Sequence, residues 1–298
     1  MKENKILDSY SVNQQTVKDL REKAITDLLN DKIINKYLND NNIDKAFVED
    51  HLVEFMDMAN YDHDCLKCKG FSNCTKTPKG FIQIVNKDTA ALEYAKCVYY
   101  KKLQPLIEGY TMRDFSDDWL TNSIDIVINR SFAPSVKKAF VKVLGHEKND
   151  GIYLYGKTGT GKSYLLACLT NELILGDKVD VCFINFKSFL NNLKNNFDTG
   201  TDELINQIKN AKVLVIDDLG SEKPSDWSKY DILLEVLESR LDNNKLTCIS
   251  SRYSLEELNQ LYNKSNLLTR RLIDTINSLM SPVLLDGIDY RKVLGVNK

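Results

Sequence analysis

The sequence predicts an α/β protein: a five-stranded parallel sheet covered by helices on both faces, preceded by a small, mainly helical region. Three observations predict it. From residue 151 onward, short apolar runs alternate with helical patterns, as the strands and crossover helices of a parallel sheet do. The glycine-rich run Gly156-Lys157-Thr158-Gly159-Thr160-Gly161-Lys162-Ser163 stands between the first apolar run and the first helical pattern. Ahead of them, residues 10–60 are polar, with apolar side chains at helical spacing.

The elements follow in order. Leu20, Ile25, Leu28, Leu29, Ile33 and Ile34 recur at helical spacing, as do Phe47, Leu52, Phe55 and Met56. Cysteines then cluster between 65 and 97. Residues 100–150 carry no clear strand, and Val136 to Val143 reads as a helix. Strands are expected at 152–155, 180–184, 212–216, 246–250 and 282–285. A length of 298 residues suits two domains, and the boundary is placed near 105, dividing 1–105 from 106–298. No internal repeat or low-complexity tract is present.

Charge and hydropathy exclude several classes. With 40 basic against 42 acidic residues the chain is no bulk polycation, so nucleic-acid contact should be local and salt-sensitive. No apolar run approaches the ~20 residues of a membrane span, and Met1-Lys2-Glu3-Asn4-Lys5 opens no signal peptide. A cytoplasmic location without a membrane partner is expected. There, seven cysteines point to metal or core roles rather than disulfides.

The glycine-rich run has the form G-x-x-x-x-G-K-S. Ile152-Tyr153-Leu154-Tyr155 reads as a buried strand before it, and Tyr164 to Leu175 as an amphipathic helix after it. Gly156, Gly159 and Gly161 let the backbone wrap closely, so that N–H groups and a helix N-terminus face a triphosphate. Nucleotide contacts are expected from Gly156, Lys157, Thr158, Gly159, Thr160, Gly161, Lys162, Ser163 and Tyr164. Lys162 is expected to reach the β- and γ-phosphates and the Ser163 hydroxyl to ligate Mg²⁺.

Val213-Leu214-Val215-Ile216-Asp217-Asp218 is an apolar run ending in two carboxylates, the pattern of a fully buried parallel strand whose C-terminal end meets ligand. Asp217 is expected to hold Mg²⁺ through water, and Asp218 to orient the attacking water. A solvated acidic turn looks the same in isolation; its place after the phosphate loop favours the site. The run Leu246-Thr247-Cys248-Ile249-Ser250-Ser251 ends in hydroxyls, and Ser250 or Ser251 is the expected sensing group near the γ-phosphate, with Ser251 taken as the catalytic candidate. Arg270 and Arg271 lie on a helical segment, 266–276, whose apolar face is Leu267, Leu268, Leu272 and Ile273. Arg271 is the candidate finger toward a neighbouring subunit's nucleotide, a group that contributes roughly 10³–10⁵ in rate where measured. A solvated basic pair is the competing reading.

Cys65-x-x-Cys68 with Cys74 puts three thiols within ten residues, a spacing that suits one tetrahedral Zn²⁺. Cys97 is the preferred fourth ligand and His63 the runner-up. Such a site contributes about 10–16 kcal/mol to folding a small module. Cys168, Cys182 and Cys248 fall on helix and strand faces and read as core.

Tyr153 to Lys157 with Ser163 to Ala167, and Asp217-Asp218-Leu219-Gly220-Ser221-Glu222 followed by Trp227 and a helix ending at Arg240, closely resemble the bacterial replicative-helicase loaders, the DnaI/DnaC family of AAA+ ATPases. The Ser250-Ser251 strand, the Arg271 helix and the closing Gly287-Ile288-Asp289-Tyr290-Arg291 continue the resemblance, which covers roughly residues 110–298. The cysteine module resembles the zinc-binding, helicase-contacting domain of the DnaI branch. The resemblance implies an AAA+ P-loop NTPase using ATP, which binds the hexameric replicative helicase, self-associates on it and places it on single-stranded DNA. It also implies Lys162 and Ser163 for nucleotide and Mg²⁺, Asp217 and Asp218 for slow hydrolysis, and Arg271 as finger.

Two departures from the family pattern stand out: Arg252 occupies a position that is usually Asn, and no histidine follows Cys74 in the cluster. Arg291 is a weak candidate for a second sensor. Phe186-Lys187-Ser188-Phe189 with Lys194 interleaves aromatic and basic residues as a single-strand contact would, although an amphipathic core helix is the favoured reading. Two other functions fit these residues: a transposition-helper ATPase of the IstB-like type, and an ATP-binding adaptor with little hydrolysis.

Overall fold

A computed structural model describes residues 14–123, 133–145, 151–195, 200–287 and 289. The chain divides into two compact units, Met1–Lys102 and Leu103–Lys298. Among the described residues no helix is long and apolar enough to cross a membrane.

The first unit begins with helices Gln14–Asn30, Lys32–Asn41, Lys45–Asp50 and Leu52–Asp62. Asp31 caps the second, accepting from Ile33 and Ile34 N–H at 2.8 and 3.1 Å, and Asp44 caps the third by accepting from Phe47 N–H at 2.9 Å. An antiparallel hairpin, β1 (Phe81–Val85) and β2 (Leu92–Lys96), follows. Leu28, Ile34, Leu38, Val48, Phe55, Met58 and Val85 form the core. Leu20 and Met56, which matched the helical spacing, lie instead on exposed faces.

The second unit is built on a six-stranded parallel sheet of order β3-β5-β6-β7-β4-β8. Its strands are β3 (Tyr110–Arg113), β4 (Gly151–Tyr155), β5 (Val181–Asn185), β6 (Val213–Leu219), β7 (Leu246–Ser251) and β8 (Met280–Leu284). The five expected strands are present, and β3 corrects the expected number. Only Tyr110 of β3 is buried, so this edge strand offers no apolar run to read. It is secured by the Tyr110 hydroxyl, which meets Thr170 Oγ1 at 2.6 Å and donates to Asn171 Oδ1 at 2.8 Å.

The helix after the phosphate loop, Lys162–Asp177, also departs from expectation. Leu165 through Asn171 are buried in succession, so it is a central helix covered on nearly all sides rather than an amphipathic one. A segment of π-helical turns, Trp227–Leu234, leads into the Glu235–Asp242 helix. Inside this core Arg240 is fully buried and donates to backbone carbonyls at the starts of β6 and β7. Cys168, Cys182 and Cys248 are buried as core residues.

Candidate nucleotide-binding site

β4 ends at Tyr155 and the chain turns at Gly156 (φ 141°), Gly159 (φ 85°) and Gly161 (φ 93°) before the helix starts at Lys162. The left-handed angles demand glycine, and at Gly156 a Cβ would stand 2.4 Å from Leu285 O. Thr160 Oγ1 donates to Lys157 O at 3.0 Å and fixes the crest of the loop. The buried Lys162 Nζ donates to Gly156 O and Lys157 O at 2.7 and 2.8 Å, so the ammonium sits inside the loop it is expected to serve. Tyr164 meets Trp119 edge-on, with centroids 5.6 Å apart. Asp289, in the closing segment, lies against the loop: a Cβ on Gly159 would stand 1.9 Å from its Oδ1.

β7 lies between β4 and β6, so its last residues separate the phosphate loop from the acidic pair. Gly156 N–H donates to Ser251 O at 3.3 Å. On the other side the β6–β7 register slips between Ile216 and Leu219, which lifts Asp217 and Asp218 out of the ladder. Asp218 takes φ 54° there, a left-handed angle that Asp tolerates better than most residues. Ser250 Oγ bridges the pair, donating to Asp217 Oδ1 at 2.5 Å and accepting from Asp218 N–H at 3.0 Å. Burial pushes the Asp217 carboxyl above its ordinary range, and hydrogen bonds from the Ser163 and Ser250 hydroxyls oppose that rise.

Ser163 and Asp217 are thus brought together, and their hydroxyl and carboxylate oxygens are the donor type that Mg²⁺ takes. Ser251 is not part of this cluster. Its buried hydroxyl donates to Leu219 O at 2.8 Å and accepts from Tyr253 N–H at 3.1 Å, so it braces the turn after β6, and Ser250 is the hydroxyl that meets the two acids. Successive strand residues face opposite ways, and two adjacent serines leave the choice undecided in the sequence. Arg252 also belongs to the site, gripping Asp218 with Nε–Oδ1 and Nη2–Oδ2 distances of 3.2 Å. Its signal was its departure from the usual Asn; Trp119 carried none.

Arg270 and Arg271 stand apart on the Leu267–Leu279 helix. The exposed Arg271 side chain is paired with Glu238, and Arg270 Nε donates to Lys264 O at 3.2 Å. Arg291 falls outside the described residues. Phe186 and Phe189 are core residues and Lys194 lies over the Trp227 ring at 5.4 Å. The burial of both phenylalanines agrees with the amphipathic core reading favoured for that helix.

In the first unit the cysteines converge through the backbone. Cys68 Sγ accepts from Gly70 N–H at 3.5 Å, and Cys97 Sγ accepts from Tyr100 N–H at 3.4 Å. Gly80 ties two of them together: its N–H donates to Cys74 Sγ at 3.3 Å and its carbonyl accepts from Cys97 N–H at 2.9 Å. Burial, then Asp62, pushes the Cys65 thiol up to about 11. No group of three or more His, Cys, Asp or Glu side chains among the described residues is arranged to hold a metal ion. The four-thiol set expected from the sequence is therefore gathered at the backbone without closing at the sulfurs. His63 is exposed beside Asp64.

Comparison with known proteins agrees with this geometry. Residues 122–294 match the family model described as IstB-like ATP binding protein. The replicative helicase loader DnaI of Bacillus subtilis (strain 168) is 27% identical over 297 residues, covering 93% of this chain and 94% of that protein. The replicative helicase loader DnaC of Escherichia coli (strain K12) is 33% identical over 109 residues, covering 36% of this chain and 44% of that protein. A crystal structure of DnaI superimposes with a TM-score of 0.54 at 25% identity, covering 62% of this chain and 98% of that one. The chain belongs to the IstB-like ATP-binding family of AAA+ proteins, among its DnaI/DnaC-type members.

Proposed function

We propose that this protein is a replicative helicase loader, a primosome component that uses ATP to place the hexameric replicative helicase on single-stranded DNA. One observation carries the reading. Similarity to the Bacillus subtilis loader runs through 93% of the chain, and so through the cysteine-bearing first unit as well as the ATP-binding second unit. A family model confined to 122–294 is silent on the first unit.

In the second unit, Gly156 to Ser163 and Tyr164 cradle the triphosphate, and Lys162 turns from its loop carbonyls toward the β- and γ-phosphates. Ser163 and Asp217 would hold Mg²⁺, which supplies charge neutralisation at the phosphates. Asp218 orients the attacking water and Ser250 fixes both acids relative to β7. Arg271 is assigned as the finger acting on a neighbouring copy; its exposure and single acidic partner suit a side chain that must change partners. Hydrolysis is slow, since Asp218 reaches one methylene less far than the Glu often found at such a position.

In the first unit Cys65, Cys68, Cys74 and Cys97 would hold Zn²⁺ once their sulfurs close on the ion, and would so shape a helicase-contacting module. The backbone N–H groups that already point at three of the sulfurs support thiolate ligands there. Helicase contact is tested by pull-down against the cognate helicase in ATP and in ADP. Absence of a complex in both refutes the loader reading. Preferential duplex binding without helicase contact would favour the transposition-helper reading, and a Lys162→Ala variant that still loads helicase would favour an adaptor.

A further inference from the structure

The ion pair between Arg252 and Asp218 joins the residue that departs from the family pattern to the residue assigned to water. Its two 3.2 Å contacts run in parallel, the bidentate fork that a guanidinium makes with a carboxylate. A phosphate presents the same pair of acceptor oxygens with more charge. The position is right for such a ligand. Tyr155 and Ser251 are register partners, and Gly156 N–H donates to Ser251 O, so Arg252 leaves the sheet beside the first glycine of the phosphate loop.

The pair is also built to exchange. The Arg252 side chain is 49% exposed and that of Asp218 30%, and ion pairs in contact with solvent are weak. The Asp218 backbone is held independently, at φ 54° and through its N–H to Ser250 Oγ. Loss of the guanidinium would therefore free the Asp218 carboxylate without moving its main chain.

We propose that Arg252 is an exchangeable latch that grips Asp218 until a nucleoside triphosphate arrives and then transfers to its γ-phosphate. One guanidinium thereby discriminates triphosphate from diphosphate and releases Asp218 only when there is a γ-phosphate to hydrolyse. Asp218 and the γ-phosphate compete for the same donors, so each weakens the other's hold on Arg252. This inference rests on the ATP-binding reading of the site.

The test is a binding cycle on the full chain by calorimetry, using ADP and a β,γ-imido analogue of ATP so that hydrolysis does not intervene. Arg252→Ala is expected to weaken the analogue about 10–100-fold, as loss of a hydrogen-bonded charge contact does, and to leave ADP within about twofold. Arg252→Lys, which keeps the charge without the fork, should fall between. Asp218→Asn removes the competitor and should tighten the analogue about two- to fivefold, and this gain should vanish in the Asp218→Asn/Arg252→Ala double variant. A gain that persists without Arg252 would mean simple repulsion between Asp218 and phosphate, and would overturn the latch. Equal weakening of both nucleotides by Arg252→Ala would overturn it too. If the unaltered protein binds neither nucleotide, the ATP-binding reading itself fails.

Discussion

Arg240 offers the most demanding test of how the second unit is held together. Its guanidinium is fully buried, and burial pulls its pKa down only to about 10, so it is charged at neutral pH. Among the described residues no carboxylate accepts a hydrogen bond from it. Instead Nη1 donates to Ile208 O at 2.9 Å and Ala211 O at 2.8 Å, Nη2 to Leu246 O at 2.6 Å, and Nε to Thr247 Oγ1 at 2.9 Å. These carbonyls lie at the C-terminal end of the Thr201–Asn210 helix and at the starts of β6 and β7, where a positive charge also meets the negative end of the helix dipole. Arg240→Met keeps the length and removes every donor. Five carbonyls then lose a partner; the two in fully buried contacts, Ile208 O and Ala211 O, cost about 1–3 kcal/mol each, and with the part-buried remainder, partly offset by no longer burying a charge, the net loss is about 3–5 kcal/mol. Urea unfolding followed by tryptophan fluorescence reads this unit alone, because both tryptophans, Trp119 and Trp227, belong to it. With a slope of about 3 kcal/mol per molar urea, the midpoint should fall by about 1–1.7 M. A fall below about 0.3 M would refute the reasoning, since the charge would then cost as much to bury as its bonds return.

Three further outcomes follow from particular contacts. Ser250→Ala should lower ATP turnover at least tenfold or so, because a bond to a carboxylate is worth about 1.5–3 kcal/mol, whereas Ser251→Ala should lower the melting temperature with turnover nearly unchanged; the reverse pattern in a steady-state ATPase assay would restore Ser251 to the site. Gly151→Ala places a Cβ 1.8 Å from Thr247 O, between β4 and β7, and should cost about 1–3 kcal/mol or more by urea titration; an unchanged midpoint would show that β4 and β7 can separate. Burial raises Asp62 from its ordinary 3.8 to about 6, against the pull of Gln83 N–H and Lys76. The folded chain then binds more protons than the unfolded one between those values, so stability should fall as pH rises from about 4 to about 6. Asp62→Asn should flatten that slope in urea midpoints taken across the interval, and a slope that survives the substitution would assign it to another group.

Much of the second unit was legible because its signals are local. A buried parallel strand needs an uninterrupted apolar run, and Val213 to Ile216 supplies one, with Asp217 and Asp218 marking its ligand end. β3 is not legible in the same way, because an edge strand of four residues with one buried side chain carries no such run. The Lys162–Asp177 helix reads as amphipathic along its own segment, whereas β-strands and helices cover it from several directions, which the periodicity of one segment does not record. In the first unit the helices were readable, yet Leu20 and Met56 matched the spacing and still faced solvent, since a period does not say how wide the covered stripe is.

The sequence by itself determined the phosphate loop, since three glycines, a lysine and a hydroxyl within eight residues specify both a backbone path and its chemistry. It likewise marked the acidic strand end and the cysteine spacing. Which hydroxyl serves the acids, and which cation holds Asp218, were decided only by tertiary structure. Both depend on the register slip between β6 and β7, which turns Asp217 and Asp218 toward Ser250 and Arg252 and leaves Ser251 to brace the turn. A register between strands is a relation of two distant segments, and neither segment contains it alone.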